Sequence, residues 1–330
     1  MTIAKTTALK PAWGPRLRRS TTEMTHRSAQ ATNYARALAV GIACLTAVSA
    51  ATAQDDMDDV NIEAMRVADG VYMLTGQGGN IGLGVGADAT FIIDDQFAPL
   101  TDKIVAAIAT VTDRPVDYVL NTHWHYDHTG GNENFGTRGA LIMAHDNVHK
   151  RMHAGQTMAN GRVVDPAPKI ALPVVTFNDS LTLRVNDQTI TGHHVEHAHT
   201  DGDTIVFFRE ANVIHMGDTF FNGLYPFVDL SSGGNINGII ESAARALALG
   251  DADTQIIPGH GPLSNKRDLQ RYHDMLVAIR DRVEKMMIEG MSLEDIQAAK
   301  PTADFDGSVN ANGFIKPEVL VGFIHASLGS

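Results

Sequence analysis

"NTHWHYDHTGGNENF", residues 121–135, places three histidines and an aspartate within six positions and follows them with two glycines. It comes directly after the strand-like stretch "RPVDYVLNT" (114–122). Residues i and i+2 of an extended chain point the same way. An extended continuation would therefore project His123, His125 and Asp127 to one side, with His128 turning off beside them. One divalent ion cannot easily take four ligands packed so tightly on one strand. Two ions can share them, His123 and His125 on one, Asp127 and His128 on the other. Gly130 and Gly131 would then permit a tight turn and a close backbone approach.

Two ions need further ligands, and three candidates sit where strands are expected to end in loops. They are His199 in "HTDGDT", Asp218 in "HMGDTF" and His260 in "PGHG". Neutral imidazole is a good zinc ligand, and a carboxylate can bridge two cations. Alone, each piece is weak: an isolated surface histidine usually ligates nothing, and Gly-Asp-Thr is most often a turn. Joined to the 123–128 cluster they make a set of five histidines and two aspartates. His145, His149 and His153 recur every four residues but have no acid in register, so they read as a solvated helical stripe. His194 and His197 flank the third ligand and read as ordinary strand positions.

The first 53 residues differ from the rest. Basic residues run to Arg36, followed by the apolar "ALAVGIACLTAVSA" and the Ala51-x-Ala53 site, the order expected of a signal peptide cleaved after Ala53. Met24 is an alternative start that would shorten the basic region to an ordinary length. The apolar segment is too short for stable membrane insertion, so the expected location is the periplasm. Residues 1–53 hold seven of the 26 Lys/Arg and one of the 38 Asp/Glu, leaving a processed chain of net charge −18. So acidic a surface repels phosphate backbones and argues against nucleic acid as a partner. The only cysteine, Cys44, would leave with the signal, so any metal must be held by His, Asp or Glu.

Residues 54–64 read as a flexible acidic lead-in, and 65–330 as one domain. Strand patterns at 70–76, 80–87 and 89–95 precede a helical pattern at 98–111. Hairpins are expected around Asn186-Asp187 and around Glu210–Asn212, then a helix at 239–250 and a long amphipathic helix at 267–290. Two halves, each mainly strands followed by helices, predict an α+β fold: a four-layer sandwich with helices outside two packed sheets.

His-x-His-x-Asp-His at 123–128, then His199, Asp218 and His260, resembles the metallo-β-lactamase superfamily in order and spacing, over residues 65 to about 265. The resemblance implies an αββα fold with two Zn2+ at one edge of the sheets. It assigns His123, His125 and His199 to the first zinc, Asp127, His128 and His260 to the second, and Asp218 to both as a bridge. Asp94 falls where the family has an acid that steadies the histidine loop.

Zinc makes hydroxide available at neutral pH and polarises a carbonyl, so no serine or cysteine nucleophile is required. Asp127 would orient the attacking oxygen and carry its proton to the leaving group. The expected activity is that of a secreted dinuclear zinc hydrolase acting on a small molecule, a cyclic amide or ester. A β-lactam is suggested by export, by a glycine-rich loop at "GQGGNIGLG" and by "GGNINGIIESAARAL", which resembles a substrate-binding loop of subclass B1 enzymes. Asn235 or Asn237 would bind substrate there. Two departures count against it: Asp218 stands where those enzymes carry cysteine, and Phe221 where they commonly carry lysine. Aspartate at 218 resembles lactonases and glyoxalase II-type thioester hydrolases, the alternative reading. A mononuclear iron oxygenase resembling persulfide dioxygenases is a second alternative, and a non-catalytic zinc-binding protein a third. Oligomeric state is not legible in the sequence.

Overall fold

The computed structural model describes residues 57–158 and 161–329. The expected signal segment, with Cys44, lies outside the described residues. Within the expected lead-in, residues 57–60 are held by Lys103, whose ammonium donates to the carbonyls of Met57, Asp58 and Val60.

Fifteen strands follow among the described residues: β1 Glu63–Ala68, β2 Val71–Thr75, β3 Ile81–Val85, β4 Thr90–Ile93, β5 Tyr118–Leu120, β6 Leu141–His145, β7 Gln156–Thr157, β8 Val163–Val164, β9 Val175–Phe177, β10 Ser180–Val185, β11 Gln188–His194, β12 Thr204–Phe208, β13 Val213–His215, β14 Gln255–Ile257 and β15 Ser264–Asn265. Helices are α1 Thr101–Ile108, α2 Tyr126–Thr129, α3 Asn132–Thr137, α4 Asp146–Ala154, α5 Ile236–Leu249, α6 Lys266–Ile288, α7 Leu293–Ala298 and α8 Pro317–Leu328. One sheet runs β1-β2-β3-β4-β5-β6-β9, the other β10-β11-β12-β13-β14-β15. Strands β4, β5, β6 and β9 are mutually parallel, as are β13 and β14; the remaining neighbours in these two sheets are antiparallel.

Period-two patterning builds the layers. Phe91 and Ile93 of β4, Val206 and Phe208 of β12 and Ile257 of β14 share the core between the sheets. Their neighbours Ile92, Ile205, Phe207 and Ile256 point the other way. Ile92 meets Ile104 and Ile108 of α1, whereas the other three meet α5, α6 and α8 through Ile239, Leu276 and Ile324. Strands such as β4 and β12, buried at every position, are the consequence of covering both faces. The four-layer αββα expectation therefore holds. The expected hairpin at Asn186-Asp187 has both residues at positive φ (56° and 55°), the geometry of the tight turn that matches strand twist.

Two local expectations are corrected. The chain stays extended only as far as His125 (φ −64°, ψ 147°) and then winds into α2, so Asp127 and His128 leave from a helical turn. Gly130 and Gly131 form no sharp turn, with φ of −63° and −81°. They allow close approach: a Cβ on Gly130 would meet the Gln96 carbonyl at 2.8 Å, and one on Gly131 the Asp95 carbonyl at 2.8 Å.

Candidate metal centre

The site gathers where strands of both sheets end. The turn after β5 delivers His123 and His125, and α2 delivers Asp127 and His128. His199 lies in the loop between β11 and β12, Asp218 follows β13 and His260 follows β14. Their donor atoms fall into two groups, His123–His125–His199–Asp218 and Asp127–His128–His260, each with all its atoms within 4.8 Å of one another. All seven expected ligands are thus brought together. Asp218 touches both groups. Its Oδ1 lies 3.0 Å from His128 Nε2, and its Oδ2 lies 3.6 Å from His199 Nε2 and 3.4 Å from His260 Nε2.

Three imidazoles of the cluster are fixed from outside by the nitrogen that faces away from it. His125 Nε2 lies 2.9 Å from Asp229 Oδ2, His128 Nδ1 lies 2.8 Å from Asp94 Oδ2, and His199 Nδ1 lies 2.8 Å from the Phe227 carbonyl. For His125 and His199 these acceptors favour the ring proton on the outer nitrogen, which leaves the inner nitrogen a bare lone pair. His125 Nδ1 and His199 Nε2 then face each other at 2.8 Å, two acceptors with no proton between them. His123 Nε2 is buried without a hydrogen-bond partner, and Asp218 Oδ1 faces only His128 Nε2. Buried polar atoms are seldom left unpaired, and a cation would satisfy the unpaired imidazole nitrogens. The donor set of imidazoles and carboxylates suits zinc, so the residues fit the metal the fold implies.

Electrostatics divide the site. Burial holds His123 well below its ordinary range, and His128 adds to the effect. Burial and His125 bring His199 down to about 4. Burial also works against the charged form of His260, but Asp218 and Asp127 outweigh it and raise that imidazole to about 9. Burial disfavours ionised Asp127, yet His128 and His260 hold its carboxyl at about 2. At pH 7 His123 and His199 are therefore neutral, whereas Asp127, Asp218, His128 and His260 make a set of ion pairs.

Glycines make the close packing possible. A Cβ on Gly79 would fall inside the His128 ring, and one on Gly259 on the Asp218 carboxylate. Gly79 N also donates to the Asp127 carbonyl at 3.1 Å, so the glycine-rich loop does flank the site. Asp94, as the resemblance implies, ties the histidine loop down, accepting from Thr122 N at 2.7 Å and Thr122 Oγ1 at 2.8 Å.

Sequence reasoning missed Asp229 and Asp203. Asp229 also accepts from Ser231 N at 3.1 Å and Ser232 Oγ at 2.5 Å, and Trp124 Nε1 donates to the same Ser232 Oγ at 3.1 Å. Asp203 accepts from Thr200 N at 2.7 Å and Thr200 Oγ1 at 2.8 Å, which shapes the His199 loop. Burial pushes its carboxyl up to about 8. A motif of the form Asp-x-x-Ser was the only available signal for Asp229, and it marks ordinary turns equally well.

Asn235 and Asn237 are corrected. Asn235 caps α5, accepting from Asn237 N at 2.9 Å, and its amide donates to the Ser327 carbonyl at 3.3 Å. Asn237 is exposed and accepts from Arg280 at 3.1 Å. Neither side chain joins the cluster. Phe221, at the position expected for a lysine, stacks on His260 with ring centroids 5.4 Å apart. His145 is also corrected: it is the buried end of β6 and stacks on His194 at 3.7 Å, and only His149 and His153 lie on α4.

Comparison with known proteins agrees with this geometry. Residues 74–260 match the family model described as the metallo-beta-lactamase superfamily. A hydroxyacylglutathione hydrolase of Polaromonas sp. (strain JS666) is 32% identical over 170 residues, 51% of this chain and 57% of that relative. The chain thus spans little more than half the length of that relative. Among solved structures, the inverting sec-alkylsulfatase Pisa1 from Pseudomonas sp. superposes with a TM-score of 0.62 at 14% identity, over 80% of this chain and 50% of that one. A metallo-beta-lactamase from Pontibacter korlensis superposes with a TM-score of 0.55 at 16% identity, over 66% and 99% respectively. At those identities the superpositions speak to the fold alone.

Proposed function

We propose that this chain, which belongs to the metallo-beta-lactamase superfamily, is an exported dizinc hydrolase of acyl thioesters. The observation that carries this reading is Asp218, an oxygen ligand shared by both histidine groups, in a chain similar to a hydroxyacylglutathione hydrolase. The cyclic amide expected from the sequence is less well supported. Asn235 and Asn237, on which substrate binding was to rest, are engaged with α8 and Arg280. Phe221 offers no charge to a substrate carboxylate. The complete seven-ligand set favours two zincs over a single iron.

His123, His125 and His199 would hold one zinc, and Asp127, His128 and His260 the other, with Asp218 between them. When bound, zinc supplies hydroxide at neutral pH and polarises the carbonyl. In the overall reaction the water oxygen bonds to the acyl carbon, the C–S bond breaks, and the water proton ends on sulfur. Asp127, kept ionised by His128 and His260, is placed to accept that proton and return it to the leaving thiolate. His260 lies 3.3 Å from Asp127 Oδ2 and keeps that oxygen oriented. The buried wall of histidines and Asp229 excludes water from the rear of the site.

Export rests on the segment 1–53. No helix among the described residues is long and apolar enough to cross a membrane. The test is a panel of hydroxyacyl thioesters, lactones and a chromogenic β-lactam with zinc-loaded protein lacking residues 1–53. Thioesters are expected to turn over fastest, with EDTA abolishing the rate. A lactam or lactone turned over at least tenfold faster would overturn the thioester assignment.

A further inference from the structure

We infer that the C-terminal segment beyond residue 300 completes the substrate site with an aromatic wall that selects an apolar acyl group. The wall starts at the ligands themselves. The Phe227 ring lies 5.5 Å from His199 and 5.9 Å from His125, between ring centroids. Against Phe227 stand Phe323 of α8, at 5.5 Å, and Phe314, at 6.1 Å. Phe314 is 75% exposed, a large apolar side chain packed against Phe227 with most of its surface in water. Burying that ring would be favourable, so the Phe227–Phe314 pair offers an apolar face that continues outward from the ligands.

The segment that carries Phe314 is anchored. Tyr225 donates to Asp306 at 2.7 Å, and Asn310 N donates to the Gly223 carbonyl at 2.9 Å. These bonds seat it on the loop that also presents Phe227. Both Phe314 and Phe323 lie past residue 260, where the family match ends.

Orientation follows from the proton. Asp127 protonates the leaving sulfur, so the thiol portion sits on the Asp127–His260 side. The acyl portion then points to the His125–His199 side, against Phe227 and Phe314. A phenyl or branched alkyl group meets the aromatic wall by edge and face contacts.

The inference rests on the thioester reading, and two measurements separate them. The first is kcat/KM of zinc-loaded wild type and Phe314→Ala for S-phenylacetyl and S-glycolyl thioesters of one thiol. Wild type is expected to favour phenylacetyl by about tenfold, and Phe314→Ala to bring the ratio near unity. The second is calorimetric binding of phenylacetate against glycolate to the same two proteins, which needs no turnover. Selective phenylacetate binding lost in Phe314→Ala, without thioester hydrolysis, would keep the apolar subsite and refute the reaction. Equal ratios in the two proteins, or a wild-type preference for the hydroxyacyl group, would overturn the inference. Phe314 is exposed, so its replacement leaves the core intact, and a thermal melt checks this.

Discussion

His123, His125 and His199 are buried and, for His125 and His199, braced from behind by Asp229 and the Phe227 carbonyl, whereas Asp127 and His260 keep 31% and 26% of their side chains exposed and lean mainly on each other. The first group is a buried pocket set by the fold before any ion arrives. The second is an arrangement of charges open to solvent, with Asp94 behind His128 as its one firm support. Preorganised imidazoles bind metal without reorganisation, and second-layer partners raise their basicity. The comparison teaches that one ion is expected to be structural in tenacity and the other exchangeable, with Asp218 linking the two.

Removing Asp218 should erase the difference. Asp218→Ala is expected to lower kcat/KM on the order of 100- to 1,000-fold and to leave less than two zincs, measured by steady-state kinetics and elemental analysis. Full activity would show that the groups work independently. Single ligand changes sharpen the contrast. His260→Ala should retain about one zinc and His199→Ala should weaken the tighter one, read by competition with a chromophoric chelator. Loss of the same ion from both variants would break it.

The supports come next in size. Asp229→Asn and Asp94→Asn are each expected to cost about 10- to 100-fold in zinc affinity, the first at the tight ion and the second at the labile one. The smallest effect is in protons. Against burial, Asp218 and Asp127 raise His260 to about 9, neighbouring carboxylates raise His128 as well, and burial brings His199 down to about 4. At pH 7, then, His260 and His128 must lose protons to bind metal and His199 need not. Affinity at the labile site should rise up to about tenfold per pH unit for each proton released, more steeply than at the tight site. Calorimetry in buffers of different ionisation enthalpy counts the released protons. Equal release at both sites would contradict the division.

The ligands were legible because their signal is dense and local: four of them lie between positions 123 and 128, and the other three follow strand ends. The layers were legible because each half reads as strands followed by helices, although β4 and β12 are buried at every position. What the sequence concealed depends on long-range approach. Asp229 meets His125 across 104 positions, and no nearby residue distinguishes it from other turn aspartates. An extended chain through Asp127 was a fair default, but a helical turn begins at Tyr126. The asparagines at 235 and 237 precede an amphipathic helix, where capping is the prior role of the residue. His145 fitted a helical repeat, yet its place at the end of a buried strand follows from pairing with β5 and β9.

Everything in this comparison depends on two ions held together. Zinc titration of the metal-free protein lacking residues 1–53, followed calorimetrically, tests it most directly. The expected result is about two equivalents in two resolvable steps, the weaker one releasing more protons at pH 7. Saturation at a single equivalent would contradict the shared site.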